Sequence, residues 1–371
     1  METNSAFFKG CLLGMAVGDA MGAPIDGKRY EEICQMYGPA GLLGYDSANG
    51  LAQITSYTQI GLFAVNGMMV SAARGKTDAD TLFLYVTRAL KEWARMQHLP
   101  GSPERRTCWL CHIPQMRRRK CMDPRTLDAL TRDALGTLQN PANQSGGPGT
   151  LTGAVCVGLF FHPDRMDFAD IGTLAARIVA LTHGDPMAHL SGAALAYMIA
   201  GIIHDPDCPM EQQILHAADA VAAQFPGPAA NRFNSLLRSA VALSHMPQVP
   251  GVQAMEQLEC NSAAQVLAGA VYAVLASGGD FDTAMITAVN HSGKSAAVGA
   301  VTGALLGAAQ GEEALPDFYM DCLDCDHVIR ELAGDLHTAF PKGWQKRLFD
   351  DDWDRKYTQG KPVERVEWEK A

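Results

Sequence analysis

An all-α fold is predicted by three features of the sequence. Apolar residues return at helical spacing along most of the chain, and no stretch alternates with the period of two that marks a half-buried strand. Ala, Gly, Leu and Met dominate while aromatic residues make up only 7%, a balance that favours helices packed through small side chains. The chain has 371 residues, 47% of them apolar, enough to bury a large core.

The elements follow in order. Residues 7–21 are apolar with small-residue breaks, and 58–73 read as a buried helix. Residues 78–98 are amphipathic, with Leu82, Tyr85, Val86, Ala89, Leu90 and Trp93 on one stripe. Further helices are predicted over 166–182, 187–203, 210–224, 229–244, 263–277, 281–290, 295–310 and 319–337. Gly- and Pro-rich punctuation such as GAPIDGKRY, LPGSPERR, LQNPANQSGGPG and HDPDCP falls between them, as loops require. No linker divides the chain, so residues 1–340 are expected to form one helical domain. The charged remainder, 341–371, reads as an appended segment lying on the surface.

The net charge of −10 argues against nucleic acid as a partner, because phosphate backbones need a basic surface. No run reaches the ~18 consecutive apolar residues of a membrane span. The apolar stretch 11–17 is short for a signal peptide, so a cytoplasmic protein is expected, with its 10 cysteines reduced.

Several short motifs carry candidate chemistry. AVNHSGKS, from residue 288, fits a loosened phosphate-binding loop, but FDTAMITAVN before it looks helical where that loop needs a strand. Lys294 in this stretch is the lone charge in a run of Ala, Gly, Val and Leu, and a buried lysine needs a negative partner. GGPGT, residues 146–150, precedes an apolar helix, where backbone N–H groups can hold a diphosphate or simply make a tight turn. His183 stands at a helix start and reads equally as a cleft residue or a hydrogen-bonded structural one. Cys108–Cys111, followed by His112, has the spacing of a haem-attachment motif, whose chemistry belongs to exported proteins. Together with Cys322–Cys325, or with His112 and Cys121, it could also make a zinc site; cysteines packed as small hydrophobes are the favoured reading. Arg105, Arg106, Arg117, Arg118, Arg119 and Lys120 form a basic patch, read as a solvated loop ahead of a contact for an acidic partner or nucleotide.

Four stretches in order resemble the ADP-ribosylglycohydrolases, a family that includes the dinitrogenase-reductase-activating glycohydrolases. They are GCLLGMAVGDAMGAPID (10–26), SGGPGTLTGAVCVGL (145–159), LTHGDPMAHLSGAALAYMIAG (181–201) and AVNHSGKSAAVGAVTGALLGAAQG (288–311). The resemblance spans roughly residues 8–340 and implies that family's helical fold. It also implies a pair of magnesium ions held by two aspartate pairs, since hard cations take oxygen ligands. In this chain the first pair is replaced by Ser56 and Tyr57, between the matching Thr55 and Thr58. The second falls at Ser292, Gly293, Lys294, Ser295, Ala296 and Ala297, again without an aspartate. The acidic residue after Gly-Ala-Pro is Asp26, and the arginine after the Gly-rich loop is missing at Thr152–Gly153.

The scaffold is therefore kept and the metal ligands are not; no metal and no cofactor is expected. Lys294 is read as a stand-in for metal charge, facing Asp19, Asp26 or an anionic ligand. The resemblance implies a nucleotide-sugar or an ADP-ribosylated substrate as ligand. The ligand-binding set is Asp19, Thr55, Ser56, Gly147, Gly149, Thr150, His183, Ser292, Gly293 and Ser295. Three functions follow. The first is binding of ADP-ribose or a related nucleotide-sugar without magnesium-dependent hydrolysis. The second is a metal-independent enzyme in which Tyr57, Lys294 and Asp26 act as acid, base or nucleophile, the lysine attacking a sugar aldehyde. The third is a structural role, as in lens crystallins that resemble the family.

Overall fold

A computed structural model gives the fold, describing residues 4–47, 50–98, 106–120, 123–163, 166–339 and 351–363. The α-helices among the described residues are α1 (Ser5–Gly22), α2 (Tyr30–Tyr37), α3 (Ser56–Ala72), α4 (Ala79–His98), α5 (Pro124–Thr131), α6 (Val155–Phe160), α7 (Phe168–Ala180) and α8 (Pro186–His204). There follow α9 (Met210–Gln224), α10 (Pro228–Ser244), α11 (Gly251–Leu258), α12 (Ala263–Ala276), α13 (Phe281–Val289), α14 (Ser295–Gln310), α15 (Asp317–Met320), α16 (Asp326–Ala339) and α17 (Asp351–Trp353). Among the described residues there is no sheet, only an isolated bridge between Ala52 and Leu323. The all-α prediction holds.

The antiparallel pair α1–α14 forms the most extensive helix contact of the fold. Its cause is a glycine every fourth residue on both helices. Gly10 meets Gly307, Gly14 meets Gly303, Gly18 meets Gly299, and Gly22 meets the Ser295–Ala296 peptide. A Cβ on Gly14 would stand 2.1 Å from the Gly303 carbonyl oxygen, and one on Gly18 would stand 1.9 Å from that of Gly299. Only glycine permits backbones this close. The two helices are apolar all round and buried almost throughout, as a central pair must be.

Residues 5–25 and 186–204 are long and apolar enough to cross a membrane, but 78% and 83% of those windows lie buried inside the fold. Both are core helices here. The amphipathic stripe of α4 packs inward as predicted, with Leu82, Val86, Leu90 and Trp93 fully buried.

Three differences from the sequence reading have local causes. The helices α2, α5 and α11 were not predicted; each is eight residues of mixed polarity bounded by Pro or Gly, too short for a periodic signal. The single helix expected over 319–337 is two, α15 and α16, because residues 322–324 turn to pair with Ala52 and Cys325 takes a left-handed backbone (φ 64°). Cys322 and Cys325 therefore lie in a turn. Finally, residues 351–363 do not merely lie on the surface. Trp353, Lys356 and Tyr357 are buried, Lys356 pairs with Glu331 at 2.9 Å and with Asp335, and the Tyr357 hydroxyl donates to Asp335 at 2.6 Å. Residues 341–350 and 364–371 lie outside the described residues.

Candidate functional site

Two carboxylates, one near the end of α1 and one just beyond it, act on other helices. The N-terminal amides of a helix lack intrahelical acceptors. Asp19 supplies them for α3: it accepts from Thr55 N (2.8 Å), Thr55 Oγ1 (2.5 Å), Thr58 N (3.0 Å) and Thr58 Oγ1 (2.6 Å). Asp19 has no accessible surface, and burial pushes its carboxyl up to about 6 against those four hydrogen bonds. Beyond α1, Asp26 does the same for α14, accepting from Ala296 N at 3.0 Å. Its other oxygen lies 3.6 Å from the Lys294 ammonium. Burial raises the Asp26 carboxyl, and Lys294 partly offsets this.

Lys294 holds the N-cap position of α14 without capping it through its side chain. Its N–H donates to Cys260 O at 2.8 Å, fixing the backbone, while the side chain remains 34% exposed over the buried Asp26 carboxylate (4%). Of the two aspartates offered by the sequence, Asp26 is the one it faces. Ser292 and Gly293 build this loop: Ser292 Oγ accepts from Tyr30 N (2.8 Å), Ser292 N donates to Glu256 (2.6 Å), and Gly293 O accepts from Gly27 N (2.8 Å). The partner segment is strained, since Glu259 and Cys260 both have positive φ (60° and 51°). Ser295 Oγ is buried with no hydrogen-bond partner among the described residues.

The Gly-rich loop forms a second cluster. The buried His183 ring lies 2.8 Å from Asp123 Oδ2 and 2.7 Å from Thr182 Oγ1, which in turn is 2.8 Å from Thr150 Oγ1. A carboxylate only accepts, so Nε2 carries the proton to Asp123, while Nδ1 accepts from Thr182 when the ring is neutral and donates to it when the ring is charged. Burial alone would raise the Asp123 carboxyl, but the bond and charge of His183 hold it below the ordinary value. Gly147 and Gly149 press against this pair. A Cβ on Gly147 would be 3.0 Å from Asp123 Oδ2, and one on Gly149 would be 1.9 Å from Thr126 Oγ1. The glycines are required by close approach.

Placed together, then, are Asp26 with Lys294, Ser292 and Gly293; Asp19 with Thr55 and, through the α3 start, Ser56; and Gly147, Gly149, Thr150 and His183. Tyr57 has no accessible surface; its carbonyl accepts from Thr152 Oγ1 at 2.7 Å. Asp19, Tyr57, Thr150, His183 and Ser295 all lack accessible surface and support the cleft walls from behind. Sequence reasoning missed Asp123 at the N-cap of α5 and Arg125 and Thr126 within it, while Lys120, read there as part of the basic patch, accepts through its carbonyl from Ser56 N at 2.9 Å. The signal available was Asp123-Pro124, a cap followed by proline at the first helical position.

Two cavities adjoin these clusters. One of about 610 Å³ lies along residues 143–147, with Arg125, Asp185, Ser262 and Gln265 on its walls. A smaller one of about 180 Å³ lies between the end of α1 (Ala20, Ala23, Pro24) and Asp46, Gln53 and Lys120. Three aspartates near these clusters are engaged by protein groups. Asp19 is saturated by four hydrogen bonds, Asp26 is divided between an amide and an ammonium, and Asp280 caps α13 through Thr283 N. Among the described residues no three His, Cys, Asp or Glu side chains gather as a metal site.

The remaining motifs resolve locally. AVNHSGKS begins in the last turn of α13, not after a strand, so it is no phosphate-binding loop of that type. Cys108 and Cys111 are buried beside Glu92, and burial followed by that carboxylate raises both thiols. Cys121 and Arg105 lie outside the described residues. Much of the basic patch is tied inward: Arg106 and Arg117 each donate to Cys111 O at 2.9 Å, and Arg118 pairs with the buried Asp324 at 2.7 Å.

Comparison with known proteins agrees with this architecture. The chain is 24% identical over 334 residues to an uncharacterised protein of Archaeoglobus fulgidus, covering 89% of this chain and 95% of that one. A solved structure described as an ADP-ribosylglycohydrolase-related protein complex superposes with a TM-score of 0.56 at 22% identity, over 93% of this chain and 100% of that one, which shows a shared fold. Residues 2–346 match the model of the ADP-ribosylglycohydrolases, nearly the whole of the described fold, and the chain belongs to the ADP-ribosylglycohydrolase family.

Proposed function

We propose that this member of the family binds ADP-ribose or a related nucleotide-sugar, or an ADP-ribosylated substrate, without magnesium-dependent hydrolysis. The observation that carries the reading is the Lys294–Asp26 pair, with its ammonium one-third exposed above a buried carboxylate. A fixed cation at the start of α14 supplies positive charge at the place where the resemblance puts the family's second aspartate pair. The cavity along 143–147 supports the same reading, since backbone amides and side-chain amides offer donors to phosphoryl and hydroxyl oxygens. Cysteines that are all unpaired among the described residues support a reducing, cytoplasmic setting.

Titration calorimetry with ADP-ribose, in chelator and then in magnesium, tests the reading. Binding in chelator is expected, with Lys294→Met weakening it by about tenfold, the scale of one lost charge-assisted contact. Binding that needs magnesium would restore the hydrolase. Absence of binding in both would leave the fold in a structural role.

A further inference from the structure

We propose that Arg125 is the anion-anchoring residue of the cavity beside the Gly-rich loop, where it takes a phosphoryl group of the ligand. The inference deepens the reading above and rests on it for the ligand's class. The residue comes from α5, which the sequence did not disclose. Its placement is over-determined. Asp123 caps α5 by accepting from Arg125 N at 3.0 Å, and Asp123 is itself gripped by the buried His183 at 2.8 Å. The same two side chains back Gly147, so the first turn of α5 and the glycine loop are set against each other as one unit.

Arg125 is exposed and lines the cavity of about 610 Å³. Among the described residues its guanidinium makes no direct ion pair, although its charge acts at longer range on the Asp123 carboxylate and helps to hold that group down. By contrast, Arg118, Arg132, Arg177, Arg238 and Arg330 all hold such a partner. An arginine without a direct ion pair at the mouth of a polar cavity is matched to an oxyanion that can accept two parallel N–H bonds. The other charge on the wall, Asp185, already accepts from Met187 N at 2.8 Å at the start of α8. Its free oxygen suits hydroxyl groups, so the cavity is built for a ligand carrying both, as a phosphorylated sugar does.

The test is calorimetry of the full chain with ADP, inorganic pyrophosphate and uncharged adenosine, in chelator, for the wild type, Arg125→Met and Arg125→Lys. Thermal unfolding of each variant checks that the fold is kept. Arg125→Met is expected to weaken ADP and pyrophosphate by about tenfold to a hundredfold and to leave adenosine unchanged. Arg125→Lys should recover part of the loss, because it keeps the charge without the fork. Equal affinity for ADP in wild type and Arg125→Met overturns the inference, as does a wild type that binds neither ADP nor pyrophosphate. The two readings fail separately. A protein that ignores ADP-ribose but holds pyrophosphate through Arg125 refutes the function above and keeps this assignment. One that binds ADP-ribose equally with Met at 125 does the reverse.

Discussion

Replacing Gly14 by alanine sets two effects against each other, and the structure decides the sign. Helix propensity alone favours alanine in mid-helix by about 1 kcal/mol. Packing opposes it. The new methyl carbon would sit 2.1 Å from the Gly303 carbonyl oxygen and 2.8 Å from its carbon, and these are rigid backbone atoms. Relief requires α1 and α14 to part by more than 1 Å, which loosens the other glycine contacts along the seam. Overpacking where neighbours can yield costs about 1–3 kcal/mol, and here the neighbours cannot yield, so we expect about 3–4 kcal/mol before the propensity gain and about 2–3 kcal/mol net. For 371 residues the unfolding entropy is about 0.8 kcal/mol/K, so the melting temperature should fall by about 3–4 °C. Gly334→Ala is the internal control. It lies within α16 with nothing within 4 Å of its new methyl group, and should raise the melting temperature by about 1 °C. Calorimetric scans of both variants beside the wild type check this. A Gly14→Ala protein as stable as the wild type would refute the claim that backbone contact defines the seam.

Further predictions concern buried charge. The Asp19 carboxyl in the fold lies above its ordinary value, so the native state binds that proton more tightly than the unfolded chain between about pH 4 and pH 6. The contribution of Asp19 to stability should therefore fall as the pH rises through that window, by at most about 3 kcal/mol, seen by urea unfolding of the wild type against Asp19→Asn. A pH slope identical in the two proteins would contradict it. Lys356→Met should cost about 3–5 kcal/mol, because it leaves Glu331 and Asp335 without their buried cation. A melting temperature within 1 °C of the wild type would show that water already screens that pair.

The sequence made the long core helices legible, and α14 has the bounds read from composition alone. Its glycines were visible too, but their pairing with α1 was not, because the two glycine rows lie at opposite ends of the matched region. The same distance hid the caps. Asp19 acts on residues 36 positions away, and Asp26 on one 270 positions away, so neither shows as a local capping pattern. Lys294 was recognisable as a charge out of place, and its partner was one of the two aspartates considered. Arg125 was not recognisable, since an arginine in a short polar helix looks like any solvated residue until the fold places it on a cavity wall.

The glycine seam has a consequence for how the protein is made. During synthesis α1 emerges long before α14, with residues 23–294 still to come. At about 5–20 residues per second that interval is roughly 15–55 s. Throughout it, the glycine face of α1 has no α14 to pack against. The feature that locks the finished molecule is therefore the last to close, since its two halves are separated by most of the chain.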